Sequence, residues 1–185
     1  MSAGKILSRF TKKSSNPQQD STSPVDIVTA VGDPHTVTNI ILEKKGITDK
    51  DVEVLARLLQ AADPPSSLQR LNLSGNNITA SAAPYLVSLL LSLPNLRELD
   101  LSRNKLAGSK AIKPLADVLE THKSLKTLNL AGNDLGPTGL EIVGAIFRKS
   151  STLTCIELGW KRFTKTEDGT LDSMDRVAEG GRYKG

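Results

Sequence analysis

The sequence predicts an α/β solenoid of strand–helix units, with a parallel concave sheet, convex helices and a helical cap at each end. Three observations carry this. An eleven-residue phrase recurs at a fixed interval, an apolar helical pattern follows each copy, and weaker copies continue the series on both sides. The phrase is Leu68–Leu71–Leu73–Asn76–Ile78, then Leu96–Leu99–Leu101–Asn104–Leu106, then Leu125–Leu128–Leu130–Asn133–Leu135, returning after 28 and then 29 residues.

Each position in the phrase has a physical reason. Successive residues of a strand face opposite sides, so Leu71 and Leu73 point into the core while Arg70, Asn72 and Ser74 point out. The chain must then turn sharply off the strand. An asparagine can bond backbone groups of such a turn, so Asn76, Asn104 and Asn133 are expected to stack as a buried structural ladder. A helical stretch follows, with apolar residues at i, i+3 and i+4: Leu86, Leu89 and Leu90; Leu115, Val118 and Leu119; Val143, Ile146 and Phe147. The middle set is displaced by one residue, which accounts for the 29-residue interval. Pro84, Pro114 and Pro137 fall near the helix starts, where a missing N–H costs little.

The template extends outward. Val37, Ile40, Leu42 and Ile47, with Leu55, Leu58 and Leu59, form an upstream unit in which Lys45 stands in the asparagine place. Leu153, Ile156, Leu158 and Phe163 form a downstream one with Lys161 there. Terminal units of an array are expected to be atypical because one side meets solvent. The repeat domain is thus placed at residues 24–180, with five units at about 37–163. A cap helix over 24–31 is read from Ser23-Pro24-Val25-Asp26 followed by Ile27, Val28 and Val31. A C-terminal cap helix at about 167–179 is read from the capping-box match Thr164-Lys-Thr-Glu167, then Leu171, Met174, Val177 and Ala178. That helix either covers the open end of the core or is offered to a partner's groove.

The 28–29-residue period with a full helix per unit resembles the ribonuclease-inhibitor-like class of leucine-rich repeats. Within it, Gly32-Asp33-Pro34 before the first strand, five units, and the closing Leu158-Gly159-Trp160-Lys161-Arg162-Phe163 resemble the C-terminal domain of tropomodulin and leiomodin. That resemblance implies actin binding and control of filament pointed ends, although the three unbroken consensus copies are more regular than that domain's. Ran GTPase-activating protein, a second relative of the class, would imply a GTPase regulator; its array is longer.

Composition narrows the rest. One cysteine excludes an internal disulfide framework and makes a reducing, cytoplasmic setting the expectation. No apolar run reaches membrane-spanning length. The net charge of +4 is unevenly spread. Residues 1–24 carry four Lys/Arg and one acid, residues 161–185 six and five, and residues 25–160 fourteen of each. The array as a whole is neutral, so nucleic acid is not expected as its partner. Residues 1–23 read as a disordered basic tail, with a membrane-surface or mitochondrial targeting segment as the alternative, and residues 181–185 as a disordered end. Membrane contact is expected through that tail alone, and the chain is expected to be a monomer.

Laying the outward strand positions side by side gives three rows. The first is Asn39, Arg70, Glu98, Thr127, Cys155; the second Ile41, Asn72, Asp100, Asn129, Glu157; the third Glu43, Ser74, Ser102, Ala131, Gly159. Charges on this face sum to −3. Arg70, Asn72, Glu98, Asp100, Asn129 and Glu157 are therefore the candidate protein-binding residues, facing a basic or hydrogen-bond-rich segment. Glu98 and Asp100 lie about 6.5–7 Å apart on one side of a strand, yet an open sheet neither excludes water nor raises a pKa, so no catalytic residue is assigned. No cofactor is expected, and His35 and His122 lack metal-ligand spacing. A helix end would favour a partly charged His122. Cys155 reads as an inert small residue or a modifiable thiol, and Trp160 as core cover or an exposed anchor. The function expected is a non-catalytic interaction module or adaptor, with a cytoskeletal actin-associated protein of tropomodulin type, a GTPase regulator or an organelle-targeted assembly subunit as alternatives.

Overall fold

The computed structural model describes residues 27–33, 35–61, 67–159, 161–166 and 171–175. Helix α1 (Ile27–Val31) precedes strand β1 (Asn39–Ile41) and α2 (Asp49–Gln60). Strand β2 (Arg70–Asn72) leads through a 3-10 turn, Ala80–Ala82, into α3 (Ala83–Ser92). Then come β3 (Glu98–Asp100), α4 (Gly108–Ile112), a 3-10 turn at Lys113–Leu115 and α5 (Ala116–Thr121). The chain ends through β4 (Thr127–Asn129), α6 (Gly136–Lys149), β5 (Cys155–Leu158), β6 (Lys161–Lys165) and β7 (Leu171–Asp175). All seven strands form one sheet in chain order. β1 to β5 are parallel, whereas β5, β6 and β7 pair antiparallel.

The apolar positions of the phrase build the core. Leu68, Leu71, Leu73, Leu96, Leu99, Leu101, Leu125, Leu128 and Leu130 are all buried, as are the helix sets that follow them. Each such side chain contributes about 2 kcal/mol by leaving water. The helices begin where the sequence indicates: Pro84 and Pro137 lie in the first turns of α3 and α6. The Asp51 carboxylate accepts from the Thr48 N–H at 2.8 Å and hydroxyl at 2.7 Å, closing the start of α2. The third unit's helix is interrupted, because Pro114 removes a donor and its ring crowds the carbonyl one turn back.

Directly after the strands, one turn position is left-handed in four successive units: Lys44 (φ 52°), Gly75 (φ 67°), Arg103 (φ 52°) and Gly132 (φ 70°). Glycine adopts this conformation freely, whereas lysine and arginine pay about 1 kcal/mol each. The glycines also make room. A Cβ on Gly75 would lie 2.8 Å from Cγ of Lys44, and one on Gly132 would lie 3.2 Å from Cγ of Arg103.

The C-terminal end differs from expectation. Leu171–Asp175 is a strand, not part of a cap helix at 167–179, and Thr164 pairs with Asp172 inside the sheet instead of starting a helix. The fifth unit accordingly turns from β5 into an antiparallel hairpin. The reason is the edge: β5 would otherwise end the sheet with a row of open N–H and C=O groups, and a strand satisfies them where a helix cannot. Phe163 pairs with Ile156 and packs on the core. Asp168-Gly169, between the two strands, is the hairpin signal in the sequence. The expected tail at 1–23, the Ser23–Asp26 helix start, the chain end at 181–185 and Trp160 lie outside the described residues.

Candidate functional site: the concave trough

The strand register aligns Asn39, Arg70, Glu98, Thr127 and Cys155 in one row and Ile41, Asn72, Asp100, Asn129 and Glu157 in the next. All six candidate residues thus share one face. They line a trough of about 520 Å³. Its apolar mark is Ile41, 68 % exposed on the edge strand β1.

Arg70 and Glu98 form a two-point ion pair, with Nε at 2.6 Å and Nη2 at 2.8 Å from the carboxylate oxygens, which pushes the Arg70 pKa further up. Both side chains are well exposed, so the pair adds little stability. The middle row has a second role that its sequence did not reveal. Asn72, Asp100 and Asn129 each accept, through one side-chain oxygen, the backbone N–H two residues on: Ser74 at 2.9 Å, Ser102 at 2.8 Å and Ala131 at 3.1 Å. These bonds fix the side chains in place at the point where the short strands end. Asn129 also donates to the other Asp100 oxygen at 3.2 Å.

The hairpin changes the electrostatics. Arg162 of β6 reaches into the trough and donates to Oε1 of the buried Glu157 through Nε at 2.9 Å and Nη2 at 2.7 Å. The face is therefore at −2, not −3, and Glu43 is paired with Lys44 at 3.0 Å. Among the described residues, Asp100 is the trough carboxylate with no cation opposite it. Sequence reasoning missed Arg162, because its place depends on the hairpin.

The asparagine ladder forms from the turn positions. Asn76 accepts from the N–H groups of Lys45 and Ile47 and donates to the carbonyls of Leu42 and Leu73. One and two units on, Asn104 and Asn133 donate to the matching pair of carbonyls and accept from one N–H each, of Ile78 and Leu106, with Asn133 only partly buried. Each therefore bonds its own turn and the preceding one. Lys45, in the first unit, has no preceding turn to serve and is exposed.

His122 is buried and not the charged helix-end group that its position suggested. Its Nδ1 accepts from the N–H groups of Ser124 at 3.3 Å and Leu125 at 3.1 Å, so Nε2 carries the proton and donates to the Leu93 carbonyl at 3.1 Å. Burial lowers its pKa below 6.5, and the carbonyls of Leu93 and Leu90 only partly offset this. His35 lies before β1, its backbone N–H bonded to Asp33. Among the described residues no group of three His, Cys, Asp or Glu could hold a metal, and no helix is long and apolar enough to cross a membrane.

Comparison with known proteins agrees with this architecture. The family described as "Leucine Rich repeats (2 copies)" matches residues 66–117, and "Leucine Rich repeat" matches 121–141. Pig (Sus scrofa) ribonuclease inhibitor is 29 % identical over 147 residues, covering 64 % of this chain and 32 % of that protein. Human (Homo sapiens) NACHT, LRR and PYD domains-containing protein 13 is 30 % identical over 123 residues, covering 66 % and 12 %. The chain spans a third or less of the length of these relatives. Among solved structures, that titled "Leiomodin-1 Actin-Binding Site 2 (ABS2)" superposes with a TM-score of 0.56 at 17 % identity, covering 68 % of this chain and 72 % of that one. The chain is a leucine-rich repeat protein. Its strand–helix units and these matches place it in the ribonuclease-inhibitor-like class.

Proposed function

We propose that this protein is a non-catalytic interaction module of the cytoplasm, whose concave trough receives a segment of a protein partner. Leucine-rich repeat domains generally mediate protein–protein interaction, which supports the reading at its coarse level. The observation that carries the finer one is Asp100. It sits at the centre of a rigid polar row, held by Ser102 and Asn129, with no cation opposite it among the described residues. A lysine or arginine of the partner would complete it, with an apolar neighbour against Ile41. The test is proximity labelling in cells with the wild-type chain, Asp100→Asn, and the convex control Glu141→Lys. Asn keeps the bond to the Ser102 N–H and removes the charge. Partners are expected to be lost in Asp100→Asn and kept in Glu141→Lys; an unchanged set in Asp100→Asn would overturn the reading.

Actin is the specific partner to test first, because the fold is shared with a structure titled as an actin-binding site. Co-sedimentation with filamentous actin decides it. Pelleting of the chain supports a cytoskeletal role, and its absence leaves the general module.

A further inference from the structure

The balanced charge of the array conceals a separation. The loops that lead into β3, β4 and β5, residues 93–97, 122–126 and 150–154, contain Arg97, Lys123 and Lys126 and no Asp or Glu, and Lys149 ends α6 beside them. Lys165 of β6 adds a fifth cation to the same edge: its ammonium donates to the Ser150 carbonyl at 2.6 Å and lies 5.0 Å from the centre of the Phe147 ring. Among the described residues, the acid that pairs with these cations is Glu120, at 3.2 Å from Lys149. Arg97, Lys123 and Lys126 are exposed, and none has an acidic partner among the described residues.

Two features make this edge more than scattered lysines. Arg97 and Lys126 stand side by side, since the Lys126 N–H donates to the Arg97 carbonyl at 2.8 Å and neighbouring strands lie about 4.8 Å apart. Like charges placed opposite each other destabilise a sheet, and no ion pair among the described residues offsets this one. The loops are also tied into one platform. His122 bonds the Leu93 carbonyl on one side, and its own carbonyl accepts from the Thr152 hydroxyl at 2.6 Å on the other. The backbone that carries the cations is held in register before any partner arrives.

We propose that this rim docks an acidic segment of a partner protein, independently of the concave trough. The cations follow one edge from β3 to β6, a line that suits an extended polyacidic chain better than a bilayer plane. Single-stranded nucleic acid would need aromatic platforms for its bases, and the three loops hold none. Leu91, 69 % exposed in the last turn of α3 and two residues before the first loop, offers the segment an apolar contact.

The test is amide-resolved NMR titration of the full chain with an octaglutamate peptide, with oligouridylate and phosphatidylserine vesicles as rival probes. Shifts are expected at Arg97, at Lys123–Lys126 and at 150–154, and they should fade at high ionic strength. Lys123→Glu/Lys126→Glu should weaken binding at least about fivefold, while Lys45→Glu/Lys105→Glu on the opposite edge leaves it unchanged. The proposal is overturned if shifts are confined to residues 1–24, if both double variants weaken binding equally, or if either rival probe binds more tightly. The spectra report the fold of each variant directly.

Discussion

Asn104 holds three segments together with one side chain, accepting from the Ile78 N–H at 3.1 Å and donating to the Leu73 and Leu101 carbonyls at 2.9 and 3.0 Å. Alanine there strands three buried backbone groups at about 1 kcal/mol each, so Asn104→Ala should cost about 3 kcal/mol in urea unfolding. Asn133→Ala, less buried, should cost less. A cost below about 1 kcal/mol for Asn104→Ala would mean that water replaces the side chain. The ladder was legible because its demand is local: a sharp turn three residues past a buried leucine. The second role of Asn72, Asp100 and Asn129 was not, since it depends on where each strand stops and its backbone N–H turns back.

At the scale of elements, the hairpin is the informative departure. A capping-box match at Thr164–Glu167 and apolar residues at helical spacing argued for a helix, and the open edge of β5 outweighed both. The hairpin is fastened by Arg162 on Glu157, by Phe163 on the core and by Lys165 on the Ser150 carbonyl. Removing the guanidinium takes from the buried Glu157 carboxylate the two bonds and the charge that Arg162 supplies. Arg162→Gln should cost about 2 kcal/mol, less than for a fully buried pair because Arg162 is half exposed. Adding Glu157→Gln should recover most of it. Hydrogen exchange at the β6 amides would show the loss first there; uniform exchange across the sheet would assign the effect elsewhere.

For the whole molecule, the repeat period and its apolar residues determined the parallel sheet and the helical layer, because an array repeats its packing problem with its period. Charge distribution was less legible. Equal counts of acids and cations said nothing of their segregation into a cationic rim and an acid-lined trough, which only the stacked loops create. His122 links that rim across three units, and its neutral form is the one the fold requires. Its folded pKa lies below the ordinary 6.5, so its contribution is fully present above pH 6.5 and is lost as pH falls through the folded value. Urea unfolding midpoints should therefore drop with acidification below pH 6.5, and His122→Gln should flatten that slope. An unchanged slope would remove His122 from the account. The left-handed turns carry a last consequence. Lys44 and Arg103 each lie over the glycine of the following unit, so large and small residues alternate along the array. Duplicating or deleting one unit would set two bulky side chains, or two glycines, next to each other. A glycine-bearing unit can be added without a clash, whereas a unit like that of Lys44 or Arg103 must be followed by a glycine-bearing one, so the order of units, not their number, limits growth.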